Sequence, residues 1–232
     1  MPKSQMSRPK PNINQLSMEQ TPPPFSPPGS STGSFQKNLI ERVKNILTIP
    51  QKEWQSIKAE PANPTAISTS YLLPLILIGT VAAFIGFGLI GMNFGYGFKF
   101  KSTELGLKMA IGYAIRSFIS IFLLAFIIDA LASNFGADKN FGKSFQVAAY
   151  AATPGLVAGI FLILPSIAII ALLAGLYGLY LLYIGLPILK PTKDVAKNTT
   201  YFVVVLIVAI ILGFLLNYLQ NQLFYPRASL SY

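Results

Sequence analysis

Residues 145–189 read F-Q-V-A-A-Y-A-A-T-P-G-L-V-A-G-I-F-L-I-L-P-S-I-A-I-I-A-L-L-A-G-L-Y-G-L-Y-L-L-Y-I-G-L-P-I-L, 45 residues without one charged side chain. As a single α-helix this run would be about 68 Å long at 1.5 Å per residue, far beyond a hydrocarbon core of about 30 Å. Pro165 and Ser166 fall near its middle. Proline suits the first turn of a helix, where its missing N–H would be unpaired anyway. The run therefore reads as two membrane-spanning helices joined by almost no loop. Backbone exposed to lipid must satisfy its own hydrogen bonds, which leaves helices or closed barrels. Barrel strands need only about 9–11 residues, so runs of this length point to helices.

The flanking sequence extends the pattern. Apolar spans at 71–91, 108–131 and 200–220 join those at 145–164 and 166–189. The expected fold is all-α: a polytopic integral membrane protein with five transmembrane helices, preceded by an amphipathic helical segment on the cytoplasmic side. Composition agrees, with 53% hydrophobic and 11% charged residues, against about 25% charged in soluble domains. Residues 1–34 are Pro- and Ser-rich, too poor in large apolar side chains to offset the entropy of ordering, and read as a disordered tail. Residues 35–64 form the amphipathic segment, 65–222 the membrane domain and 223–232 a C-terminal tail.

In the amphipathic segment, Leu39, Val43, Ile46 and Leu47 share one helical face, and Trp54 follows after Pro50. Such a stripe fits the headgroup interface, with anionic headgroups meeting its basic side. It fits equally a helix laid on the protein's own cytoplasmic loops. The net charge is +10. Because the basic residues flank apolar spans, the charge reads as lipid contact and topology control, with no nucleic-acid partner. A cytoplasmic N-terminus puts thirteen Lys and Arg inside and four outside, with the C-terminus outside.

Catalytic chemistry finds little support. The chain has no cysteine and no histidine, which removes disulfides, thiolate or imidazole metal sites and Cys- or His-based nucleophile pairs. Ser117 and Ser120 lie in span two with no base beside them in the sequence. No cofactor, no metal and no enzymatic activity are expected. Arg116, two turns into span two, either faces a cavity or an anionic lipid, or snorkels to the outer interface. Asp129, thirteen residues on, is placed to meet Lys139 or Lys143. Thr153 and Pro154 mark a break in span three, where unwound backbone could line a transport path.

Small residues recur at four-residue spacing: Ala151, Gly155 and Gly159 in span three, with Ala171/Gly175 and Ala174/Gly178 in span four. Such faces let helices approach closely in lipid, within the hairpin or between copies. Tyr177, Tyr180 and Tyr183 form one drifting stripe on span four, placed to meet Thr153 or Gln146.

Four stretches together resemble the Yip domain family, named for interaction with Ypt/Rab GTPases, in its bacterial branch. They are I-L-T-I-P-Q-K-E-W-Q-S-I-K-A-E-P-A (46–62), Y-L-L-P-L-I-L-I-G-T-V-A-A-F-I-G (71–86), A-A-Y-A-A-T-P (148–154) and G-L-Y-G-L-Y-L-L-Y-I-G-L-P (175–187). The resemblance implies five spans and a cytoplasmic N-terminus. Its eukaryotic members act in vesicle traffic, bind Rab GTPases and form hetero-oligomers. The acidic D-L-Y-G-P stretch of those members is absent here, and the tail is basic. The expected role is a non-enzymatic integral membrane protein that organises membrane or partner proteins, in a bacterial inner membrane. The alternative is a small transporter or channel built on Arg116 and the Pro154 break.

Overall fold

A computed structural model of the chain describes residues 31–93, 99–164, 167 and 169–224. Its helices are α1 (Ser31–Thr48), α2 (Pro50–Ala59), α3 (Pro64–Ile90), α4 (Thr103–Ala132), α5 (Phe141–Ile163), α6 (Ile169–Leu189) and α7 (Ala196–Phe224). A ribbon of two antiparallel strands, β1 (Met92–Asn93) and β2 (Lys99–Phe100), links α3 to α4. Five of the helices are long and apolar enough to cross a membrane. The chain is an all-α, multi-pass integral membrane protein.

Local chemistry sets the helix starts, and those of α3, α4 and α5, like that of α7, lie earlier than the apolar runs suggest. Asn63 caps α3, its side chain accepting from Ala66 N–H at 3.1 Å, with Pro64 in the first turn. The Asn-Pro pair thus opens a helix where the sequence reading ends a segment. Ser102 caps α4 through Leu105 N–H, and Asn140 caps α5 through Lys143 N–H. The caps bring polar first turns into the spans. α1 begins at Ser31, inside the stretch read as tail; the expectations for residues 1–30, for 225–232 and for the Pro165–Ser166 turn lie outside the described residues.

α5 is the centre of the bundle. Its apolar window is 61% buried, against 6% for α7, which leans on the bundle and otherwise faces lipid. α5 is split by Pro154 into Phe141–Ala151 and Thr153–Ala158, and tightens to a 3₁₀ turn at Gly159–Ile163. It packs on α3, α4 and α6, and α4 packs on α7. Tyr201 anchors the start of α7. It is buried, donates to the Ile128 carbonyl and stacks on Phe135 at 5.0 Å.

A polar knot closes one end of the bundle. Asp129 does not meet Lys139 or Lys143 but pairs with Lys190 at 3.3 Å, while accepting from Asn140 N–H (2.8 Å) and Ser144 Oγ (3.1 Å). Lys139 is exposed. The Lys143 ammonium is held instead by the carbonyls of Lys58 (2.8 Å) and Glu60 (3.0 Å). Lys190 is buried and also donates to the carbonyls of Asp138 and Asn140. Burial pulls its pKa below the ordinary lysine value, against the opposing pull of Asp129. Removing one partner leaves the other charge buried and unmatched. Asp129→Ala should therefore cost about 3 kcal/mol, seen as a drop of several degrees in the unfolding midpoint in detergent, whereas Lys139→Ala should leave it unchanged.

Candidate functional site, the aromatic cap

The helices α1 and α2 do not lie free on the bilayer. Ile46, Trp54 and Ile57 are fully buried in the same core as the membrane spans, with Leu39, Val43 and Leu47 packed around them. The apolar stripe that could have met headgroups is turned onto the protein, and its main seat is a notch in α6. A Cβ added at Gly185 would lie 2.5 Å from the Trp54 indole, so glycine is what admits the ring.

The second wall of the seat is Tyr150 of α5. Trp54 meets it edge-on at 6.4 Å, Tyr71 of α3 edge-on at 4.8 Å, and the Arg42 guanidinium lies 5.6 Å from its centroid. Arg42 then bridges Glu53, at 2.6 Å, and Glu60. Burial disfavours its charge. The hydrogen bond to Glu60 and the two carboxylates outweigh that and hold its pKa above the ordinary arginine value. Three segments distant in sequence are thus drawn together through one ring and one cation. A cavity of about 430 Å³ opens beside them, bounded by Arg42, Asn45, Glu53, Ser56, Tyr71 and Tyr150.

Beneath the ring lies the reason for its position. Pro154 has no N–H for the Tyr150 carbonyl four residues back. Thr153 Oγ1 donates to that carbonyl at 2.7 Å and in turn accepts from the Tyr71 hydroxyl at 2.7 Å. The helix break is satisfied inside the protein, and the satisfying chain positions both tyrosines.

The remaining sequence-selected residues are distributed as follows. Tyr177 donates to the Leu47 carbonyl at 2.9 Å, Tyr183 packs edge-on against Phe202 at 5.2 Å, and Tyr180 is exposed. None bonds Thr153 or Gln146, contrary to expectation. A three-residue step rotates each ring about 60° past the last, which fans the stripe between α1 and α7. Ala151 is buried, with its carbonyl 3.0 Å from a Cβ added at Gly178, so α5 and α6 touch there. Gly159 receives the Tyr113 hydroxyl. Gly155 and Gly175 face open space, Ala174 is half-buried, and the Ala171 side chain lies outside the described residues. Arg116 is exposed on α4, away from the cap. Among the described residues there is no cluster of carboxylates fit to hold a metal ion.

Six of the residues that build the cap fall in the family-like stretches: Trp54, Tyr71, Tyr150, Thr153, Pro154 and Gly185. Comparison with known proteins accords with this. A family model described as "Yip1 domain" matches residues 44–217, and the chain belongs to that family. It is 27% identical over 127 residues to Inner membrane protein YohC of Escherichia coli strain K12, and to its counterpart in Escherichia coli O6:H1. The match covers 54% of this chain and 65% of each relative, just under two thirds of their length. No solved structure matches.

Two outcomes test the cap. Trp54 is the sole tryptophan, so its fluorescence reports the seat directly. Gly185→Val should eject the indole and move its emission to the red, while Gly175→Val, at an open position, should leave the emission unchanged. Thr153→Val should strand the Tyr150 carbonyl and the Tyr71 hydroxyl and lower stability by about 1–3 kcal/mol; thermal unfolding in detergent measures this, with Thr153→Ser restoring the loss.

Proposed function

We propose that the protein is a non-enzymatic organiser of membrane or of membrane-protein partners, and that the cap is its partner-facing platform. The carrying observation is that α1 and α2 are fixed to the bundle by Trp54 and Arg42 while their outer surface stays exposed, including Ile40 (69%) and Ile49 (45%). A rigid amphipathic surface held over the spans suits recognition of another membrane protein, because little ordering is left for the moment of binding.

Orientation follows from charge. Exposed Lys44, Lys52, Lys58, Lys139, Lys193 and Lys197 gather at the capped end, and exposed Lys101 and Lys108 lie at the other. By the positive-inside preference this distribution supports a cytoplasmic cap and a C-terminus outside. The name of the E. coli relatives supports a bacterial inner membrane. The transport alternative is weakened by the hydrogen bonding at Pro154. Its freed carbonyl is taken by Thr153 rather than offered to a path.

The test is photo-crosslinking in the native membrane from positions 40 and 49. The reading expects a defined membrane-protein adduct that Trp54→Ala, which releases the cap, abolishes. Solute flux through reconstituted proteoliposomes that disappears with Arg116→Ala would overturn the reading in favour of transport.

A further inference from the structure

Span α4 carries a polar stripe inside the hydrocarbon. Tyr113, Arg116, Ser117 and Ser120 fall at i, i+3, i+4 and i+7, which is one helical face. That face borders a cleft of about 460 Å³ whose other walls are α5 and α6. The cleft is open toward lipid, and Gly155 and Gly175 leave space there that no described residue fills. Arg116 forms no ion pair or hydrogen bond with a described residue, although a central arginine costs about 2.5–3.5 kcal/mol on insertion scales.

No described carboxylate of the chain reaches it. Of its eight carboxylates, Glu104 and Asp129 share the helix with Arg116 but lie twelve and thirteen residues away, about 18 and 20 Å along the axis. Glu104 is paired with Lys108, and Asp129 with Lys190. Glu41, Glu53 and Glu60 are in the cap segment, Asp138 and Asp194 in the connections at the same end, and Glu19 outside the described residues. Lys108 and Asp129 are 21 residues apart, about 32 Å, which brackets one hydrocarbon thickness and places Arg116 about 12 Å in from the uncapped side. The described carboxylates of a second copy in the same orientation would likewise stay away from this depth. Lipid, on the open side, can.

We propose that this cleft is a binding site for an anionic glycerophospholipid of the leaflet opposite the cap. The Arg116 fork takes the phosphate, as guanidinium groups do in paired hydrogen bonds, and its stem snorkels toward the headgroup level. Ser117 and Ser120 supply neutral donors beside it. The acyl chains lie along the open strip at Gly155 and Gly175. The site is independent of the partner role proposed for the cap.

The experiment uses the full chain in a neutral detergent with added dioleoylphosphatidylglycerol or dioleoylphosphatidylcholine. Readouts are the unfolding midpoint and retained lipid by native mass spectrometry. Phosphatidylglycerol should raise the midpoint by several degrees and remain bound, and phosphatidylcholine should do neither. Arg116→Gln should weaken retention about tenfold or more, the loss of one charge-assisted contact. Gly175→Leu, which keeps the charge but fills the cleft, should weaken it similarly, and sn-glycerol 3-phosphate should not compete. Equal effects of the two lipids, undiminished retention in either variant, or tight binding of glycerol phosphate alone would overturn the proposal. So would an Arg116-dependent dimer that forms without lipid.

Discussion

Hydrocarbon offers no hydrogen bonds, and this structure is organised around one carbonyl that needs one. Pro154 deprives the Tyr150 C=O of its usual partner in the middle of the most buried helix. Thr153 meets it, Tyr71 meets Thr153, and the two tyrosine rings are thereby set edge to face. The Tyr150 ring fixed in this way is the surface on which Trp54 and Arg42 close. A helix break that would be a liability in lipid becomes the point at which an extramembrane segment is joined to the bundle.

The cap depends as much on what α6 lacks. An indole seats at Gly185 only because no side chain is there. The same residue type does different things elsewhere on that helix. Gly178 lets α5 approach, whereas Gly175 borders empty space. Spacing alone cannot separate these cases. All three are small residues on an apolar helix, and the difference lies in which bulky neighbour arrives, a property of the tertiary arrangement.

Much of the architecture was legible for a simple reason: a bilayer sets the length of a span, and apolar runs of that length can satisfy their backbone only as helices, so five apolar runs give five helices. Helix starts were less so. Asn63, Ser102 and Asn140 are cap residues in polar surroundings, and a search for apolar runs passes over them. The capping signals were present and would have moved the boundaries outward. The partner of Asp129 was not legible. Lys139 and Lys143 are nearer in sequence, but Lys190, sixty-one residues away, is the lysine that burial leaves beside it. The Tyr177–Tyr183 stripe was legible as a stripe, yet its partners depend on how α1 and α7 are placed around α6. Sequence alone left the destination of the α1 stripe open between headgroups and protein, because either environment buries the same side chains.

Two arginines show where the chain's own accounting stops. Arg42 is partly buried at the edge of the membrane domain and is matched twice over, by Glu53 and Glu60, with an aromatic face beneath it. Every group it needs is encoded in the same polypeptide, and the result is an internal fastening. Arg116 lies deeper, on a polar stripe of an otherwise apolar helix, and none of the described carboxylates reaches that depth. A cation of the first kind describes how a protein holds itself together. One of the second kind is complete only with something from the surrounding membrane. The contrast separates the two ends of this molecule: a capped end closed on itself, and an intramembrane cleft whose chemistry is turned outward to lipid.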